Sequence, residues 1–209
     1  MHPNPSFRKE THAQNLAFAR ARSFGVLTLG GADGPLAAHI PFVLNEAGDA
    51  FEGHLVRSNP ILRMLDAPQP ALMIVSGPDG YVSPDWYEIE DQVPTWNYVA
   101  VHLRGQLRRL PQEALEPHSR ALSAQFEGRL LPKTPWTQDK MQPQTLAKMQ
   151  RMIVPIRFDI EEVSGTWKLN QNKSNTARLA AARQMPQSEG QELDRLAELM
   201  THPPSSNQS

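Results

Sequence analysis

Between Val26 and Val56 the chain carries three apolar segments of strand length, separated by two turns too short to hold a helix. The segments are residues 26–29, 36–45 and 50–56. The turns are Gly30-Gly31-Ala32-Asp33-Gly34-Pro35 and Glu46-Ala47-Gly48-Asp49. Strands joined so tightly must run antiparallel, because a parallel return needs a crossover of about a dozen residues. A short helix follows, with Asn59 as its cap and Pro60 at its first position, and then a fourth strand over residues 71–76. Four strands thus follow one another with no long helix between them, and the expected class is α+β with a mainly antiparallel sheet. About six such strands in one domain close into a barrel with peripheral helices. A doubly wound nucleotide fold needs strands alternating with crossover helices, and this order lacks them.

The remaining elements fit around that sheet. A first helix is expected from Thr11, where Thr11-His12-Ala13-Gln14 reads as a capping box, and it ends before Phe24-Gly25. Residues 77–95, with Gly77, Pro78, Gly80, Pro84 and Pro94 among aromatic residues, read as a long loop. Strands are expected over residues 98–110, where Val99, Val101 and Leu103 alternate with polar positions, and over 152–163, running on to Trp167-Lys168-Leu169. A helix is expected over 112–127, with Leu115, His118, Leu122 and Phe126 as its apolar stripe. Two more are expected over 176–184 and 189–200, before a polar tail over 202–209. The expected domain is residues 1–187, with 188–209 as a C-terminal helix and tail.

Composition narrows the chemistry. There is no cysteine, which excludes thiol catalysis, Cys-ligated zinc and iron–sulfur clusters. The 21 Lys and Arg nearly balance the 22 Asp and Glu, leaving a formal charge of −1, so no global field draws the chain onto nucleic acid or anionic lipid. No helix-turn-helix pattern is visible, and direct DNA binding is unsupported. The N-terminus lacks the apolar run of a signal peptide and no membrane-spanning run occurs, so the expected location is the cytoplasm. The chain has none of the motifs GxGxxG, GxxxxGK[ST], HExxH or GxSxG, and no catalytic constellation is identifiable.

Three regions carry candidate chemistry. His39, His54 and His102 fall on expected strands, but none has the spacing of a zinc motif, so no metal site is assigned and ordinary hydrogen-bonded histidines are expected. His118 is read as a core histidine. In Gly53-His54-Leu55-Val56-Arg57-Ser58-Asn59-Pro60 a guanidinium, a hydroxyl and a helix start lie together, the parts of a phosphate site. The other reading of that segment is plain capping beside a solvated arginine. In Trp167-Lys168-Leu169-Asn170-Gln171-Asn172-Lys173-Ser174 the side-chain amides can read the edge of a flat heterocycle and the lysines can neutralise a phosphate. The other reading is a polar turn after a strand. The aromatics Tyr81, Trp86, Tyr87, Trp96 and Tyr98 can stack on such a ring, or can serve as core or interface contacts.

Several blocks occur together and in order: His39-Ile40-Pro41-Phe42; Gly53-His54-Leu55 with Asn59-Pro60; Gly77-Pro78 with Gly80-Tyr81-Val82-Ser83-Pro84 and Trp86-Tyr87; Val93-Pro94-Thr95-Trp96-Asn97-Tyr98 with Val101-His102; and Lys168-Leu169-Asn170-Gln171-Asn172. This set resembles the PaiB family of FMN-binding negative transcriptional regulators, from about Gly25 to Lys173. The resemblance implies an antiparallel split β-barrel like that of the pyridoxamine phosphate oxidases, forming a homodimer with FMN at the subunit interface. On that basis His39, Ile40 and Pro41 form the floor under the flavin ring, with His54 and Leu55 on the adjoining strand, and Arg57, Ser58 and Asn59 neighbour the phosphate. Trp96, Asn97 and Tyr98, together with Lys168, Gln171, Asn172 and Lys173, complete the pocket from the second subunit. Lys168 and Ser58 are the expected phosphate holders. The resemblance implies a flavin- or redox-sensing regulator. The alternatives are a flavin-dependent oxidoreductase acting on a small molecule, or a haem-handling split barrel with His102 or His54 as ligand.

Overall fold

The computed structural model describes residues 1–204, so residues 205–209 of the expected polar tail lie outside the described residues. Seven strands follow in chain order: β1 (Phe24–Gly31), β2 (Gly34–Leu44), β3 (Ala50–Val56), β4 (Gln69–Val82), β5 (Thr95–Arg109), β6 (Ile153–Lys168) and the two-residue β7 (Gly190–Gln191). Five α-helices accompany them: α1 (His12–Arg22), α2 (Leu115–Gly128), α3 (Pro143–Gln150), α4 (Asn175–Gln184) and α5 (Leu193–Thr201). The strand order is β1-β2-β3-β6-β5-β4-β7, and β1 also pairs with β4, so six strands close into a ring with no free edge between first and last. The expected antiparallel barrel of an α+β chain is present.

By internal contacts the chain falls into two compact units. One comprises Ala19–Ile74 and Leu103–Glu162, the other Met1–Phe18, Val75–His102 and Val163–Ser209.

In the first unit, β1 and β2 pair from Phe24↔Pro41 to Gly31↔Gly34, and β1 pairs with β4 from Val26↔Ile74 to Leu29↔Ala71. Side chains alternate between faces: Leu27, Leu29, Ile40, Phe42, Leu44 and Leu55 are buried, and their neighbours point outward. At the centre Phe51 stacks nearly parallel on Phe158 with centroids 4.8 Å apart, and Phe42 lies 4.8 Å from Phe51. Gly105 passes close to β6, and a Cβ there would run into the Asp159 carbonyl oxygen. The short helix expected at Pro60 is a 3-10 turn, Pro60–Met64, whose Ile61 N–H donates to the Asn59 side chain at 3.0 Å. The helix expected over 112–127 starts as a 3-10 turn at Gln112–Ala114 before α2. Helix α3 left no readable pattern because none of its residues is buried.

In the second unit, the capping box closes reciprocally. Thr11 N–H donates to Gln14 Oε1 at 2.7 Å, and Gln14 N–H donates to Thr11 Oγ1 at 3.2 Å. Asn15 is buried; its Oδ1 accepts from Trp167 Nε1–H at 2.9 Å and its Nδ2 donates to the Thr11 carbonyl at 3.1 Å. Gly165 leaves the room for that amide, since a Cβ there would overlap Asn15 Oδ1. The core holds Val82, Tyr87, Val99, Trp167 and Leu169 against alanines of α4 and Leu196, Leu199 and Met200 of α5. The loop expected over 77–95 is in part strand, because β4 continues to Val82. Its glycine has a packing role rather than a turn role. A Cβ on Gly80 would meet Met185, Leu193 and Leu196, so the C-terminal segment approaches there and β7 pairs at Asp79↔Gln191 and Gly80↔Gly190.

Gly105→Ala should lower folding stability by about 1–3 kcal/mol, because the backbone of β6 cannot yield cheaply. Gly30→Ala, with nothing within 4 Å of the new Cβ, should leave the urea midpoint nearly unchanged. Equal midpoints for the two variants would show that the β5–β6 approach is not tight.

Candidate functional site

The period-two alternation of strands divides the residues singled out on β2 and β3. His39 is exposed and Pro41 half-buried on the outer face, while Ile40, at 4% exposure, and Leu55, at 2%, enter the barrel interior. Ile40 and Leu55 are therefore core residues beneath that outer face. His39 lies beside the exposed ring of Phe24, with centroids 6.5 Å apart. His54, also outward, meets His118 of α2, with Nδ1 and Nε2 separated by 3.1 Å. One proton can sit between these nitrogens. Burial lowers the pKa of His54. For His118 burial, and then the charge of His54, bring it down to about 4. Both are therefore neutral near pH 7. A groove of about 300 Å³ adjoins them, lined by Val43, Glu52, Pro117, His118, Ala121 and Arg157.

Arg57 is exposed at the end of β3. Its Nε donates to the Arg151 carbonyl at 2.8 Å, and its Nη2 donates to Gln112 Oε1 at 3.0 Å and to the Ile153 carbonyl at 3.3 Å. All these partners are neutral, so the guanidinium keeps its whole charge. Ser58 beside it is exposed. Asn59 is committed to capping and Arg57 to three neutral acceptors.

In the second unit, β5 divides its residues the same way. Trp96, 48% exposed, and the half-buried Tyr98 share one face, while Asn97 is wholly buried on the other. Tyr81 meets Trp96 edge-on, with centroids 6.4 Å apart. An open groove of about 390 Å³ runs along this face, lined by Ser76, Gly77, Asp79, Trp96, Tyr98 and Ala100. Asn97 donates to Met200 Sδ at 3.4 Å, and its buried Oδ1 has no partner.

The turn after β6 carries the lysines. Asn170 adopts φ 63°, a left-handed conformation that asparagine tolerates. Gln171 locks the turn, accepting from Leu169 N–H at 2.8 Å and donating to the Trp167 carbonyl at 2.6 Å. Gln171 is thus a structural clamp, and Asn172 is exposed. Lys168 Nζ donates to Thr95 Oγ1, and Lys173 Nζ donates to Gln92 Oε1 and sits 5.1 Å from the Tyr87 ring centroid. Burial lowers the pKa of Lys168. Asn170 Oδ1 accepts from the Tyr87 hydroxyl at 3.3 Å, and its buried Nδ2 has no partner.

Two members of this cluster, Asn170 and Tyr87, were not singled out as site residues by sequence reasoning. A non-glycine residue needed at a left-handed turn is the signal for Asn170; Tyr87 had no signal beyond its place among aromatics. Among the described residues no group of three or more His, Asp or Glu side chains is placed to hold a metal ion.

Comparison with known proteins places this architecture. Residues 1–162 match the family described as "Putative FMN-binding domain". The chain belongs to that family. It is 30% identical over 199 residues to the Protease synthase and sporulation protein PAI 2 of Bacillus subtilis (strain 168), covering 94% of this chain and 95% of that protein. Among solved structures it is similar to the FAD and heme binding protein from Mycobacterium smegmatis, with TM-score 0.55, 19% identity, and 78% and 73% of the two chains covered. It is also similar to the flavocytochrome Anf3 from Azotobacter vinelandii, with TM-score 0.58, 15% identity, and 80% and 72% covered. At these identities the likeness shows the shared fold, the split barrel expected from the sequence. No helix among the described residues is long and apolar enough to cross a membrane.

The His54–His118 contact predicts a pH dependence. The folded pKa of His118 lies below its ordinary 6.5, so between about pH 6.5 and 4 the unfolded chain binds more protons than the folded one. Stability is then full above about pH 6.5 and falls as the pH drops toward 4. In His118→Gln the slope of unfolding free energy against pH in that window should be shallower by about one proton. Urea titrations at several pH values read this directly, and an unchanged slope would remove His118 as its source.

Proposed function

We propose that this protein binds FMN between two copies of the chain and serves as a flavin-dependent regulator. The observation that carries the reading is the state of the lysines. Lys168 and Lys173 bond only neutral acceptors among the described residues, beside the buried, unpartnered Asn170 amide donor. A site with donors and positive charge to spare fits an anionic ligand rich in acceptors. The Trp96–Tyr98 face offers a flat apolar surface for the ring, and the outer face of β2 at His39 and Pro41 offers a second. In the proposed dimer one copy supplies His39, Pro41, His54, Arg57 and Ser58, and the other supplies Trp96, Tyr98, Lys168 and Lys173.

The residues fit the group. Lys168 and Ser58 hold the phosphate, with Lys173 and Arg57 adding charge, and the Asn170 amide donates to an acceptor of the ring or ribityl chain. Bound flavin supplies one- or two-electron redox chemistry, while the chain orients it and sets its surroundings. Kinship with the Bacillus subtilis sporulation protein supports a role in which flavin occupancy or redox state is passed to transcription. The net charge of −1 supports an indirect route through a partner, without direct DNA contact.

The visible spectrum of purified, desalted protein tests the reading, followed by release and identification of the chromophore. Flavin bands with equimolar FMN in the supernatant are expected. Replacing Lys168 and Ser58 together by Ala should weaken FMN binding by about tenfold or more, as the loss of a charge-assisted hydrogen bond implies. Flavin fluorescence quenching measures it, and undiminished affinity would refute the phosphate assignment. A colourless protein that also refuses added FMN would refute the cofactor.

A further inference from the structure

The segment between the 3-10 turn Pro84–Tyr87 and the start of β5 is held by little. It carries Glu88, Glu90 and Asp91, all exposed, and no basic residue. Ile89 and Val93 are 49% and 73% exposed, so its apolar side chains contribute little burial. Glu88 and Asp91 both sit at positive φ, 55° and 57°, in a region where residues with a Cβ are strained. Within the segment, Gln92 Nε2 donates to the Glu90 carbonyl at 2.8 Å. Its side-chain tie to the turn after β6 is Lys173 on Gln92, while the neighbouring Lys168 bonds Thr95 at the anchored start of β5.

Those ties have an unusual character. The Lys173 ammonium reaches a segment that carries three carboxylates and bonds an amide oxygen instead, and Lys168 beside it bonds a hydroxyl at the start of β5. A phosphate oxygen is the stronger acceptor for an ammonium than either. A dianion arriving at Lys173 also meets the carboxylates carried by the same stretch of chain, and like charges repel. The two ends are anchored independently: Tyr87 is buried and bonded to Asn170, and Thr95 opens β5.

We propose that segment 88–94 is a strap that the anionic group of a ligand displaces, because the strap's Gln92 and the ligand compete for the donors of Lys173. The inference rests on the placing of the FMN phosphate at Lys168 and Lys173. The free protein carries the strap closed on Lys173, and the loaded protein exposes it. Loading thereby uncovers an acidic, partly apolar stretch of chain that reports occupancy of the site.

Limited proteolysis of the full chain with a glutamyl endopeptidase reads the strap, since cleavage after Glu88 and Glu90 yields fragments that intact-mass spectrometry resolves. Flavin fluorescence is followed in the same samples. FMN should raise cleavage at these two bonds by about tenfold, the population change given by losing one charge-assisted bond, while cleavage after the exposed Glu113 stays constant. Riboflavin, which lacks the phosphate, should leave the rate unchanged. Lys173→Met should be cleaved fast without ligand. Gln92→Glu, which gives Lys173 a carboxylate partner, should be cleaved more slowly than the wild type after Glu88 and Glu90, the two bonds scored, and should weaken FMN binding.

FMN that binds with no rise in cleavage overturns the strap and leaves the cofactor reading standing. Absence of FMN binding in the wild type overturns both. Riboflavin acting as strongly as FMN overturns the competition for Lys173, as does equal cleavage of wild type, Lys173→Met and Gln92→Glu.

Discussion

The pairing of β1 with β4 is the constraint on which the first unit depends. Val26, Leu27, Thr28 and Leu29 face Ile74, Met73, Leu72 and Ala71, and this ladder joins the two ends of a six-strand sheet. Once the ring is closed, each strand has an inside and an outside, and a slip of one residue would exchange them along its whole length. Leu27 and Met73 are wholly buried because this register turns them inward. The same register turns His39, Pro41 and His54 outward, so the barrel's closure decides which of these side chains leave the core. Thr28 strengthens the joint, its hydroxyl donating to the Leu72 carbonyl at 3.2 Å.

In the second unit the corresponding anchor is one buried amide. Asn15 satisfies Trp167 with its oxygen and a helix carbonyl with its nitrogen, so α1 and β6 are joined at no cost in unpaired groups. Phe18 packs edge-on against Trp167, with centroids 5.2 Å apart. That junction fixes the end of β6, and with it the turn in which Asn170 aligns the two lysines. Asn97 and Asn170 differ from Asn15 in keeping a buried polar atom without a partner. An unsatisfied buried group is costly, and proteins carry such groups where another molecule completes them.

Ion pairs neutralise some of the cations, while others, Arg20, Arg109, Arg129 and Arg178 as well as those of the candidate site, bond only neutral acceptors. Arg108 and Arg157 share Asp159, Arg120 pairs with Glu116, Lys133 with Glu127, and Arg195 with Glu198. Such exposed pairs contribute little to stability, yet they neutralise the cations involved. Arg57, Lys168 and Lys173 instead bond carbonyls, amides and a hydroxyl. A chain with near-equal numbers of acids and bases thus leaves several cations unneutralised, those of the candidate site among them. Total charge does not reveal that; only the list of partners does.

The sequence by itself determined the antiparallel order, the capping boxes and the blocks that mark the family, because turns, caps and strand alternation are local. Thr11 and Gln14, three residues apart, were enough to start α1, and two tight turns were enough to set the direction of three strands. Tertiary structure alone decided what depends on distant neighbours. Gly80 reads as loop punctuation until Met185, Leu193 and Leu196 are seen to need its space, and the stretch 77–82 is strand for that reason. His118 reads as an ordinary stripe position until α2 lays it on His54, 64 residues away. Trp96, Asn97 and Tyr98 form one block in sequence, yet the pleat sends Asn97 into the core and the two rings outward. Adjacency along the chain is set by covalent bonds; adjacency in a site is set by register and packing, which no short window of residues contains.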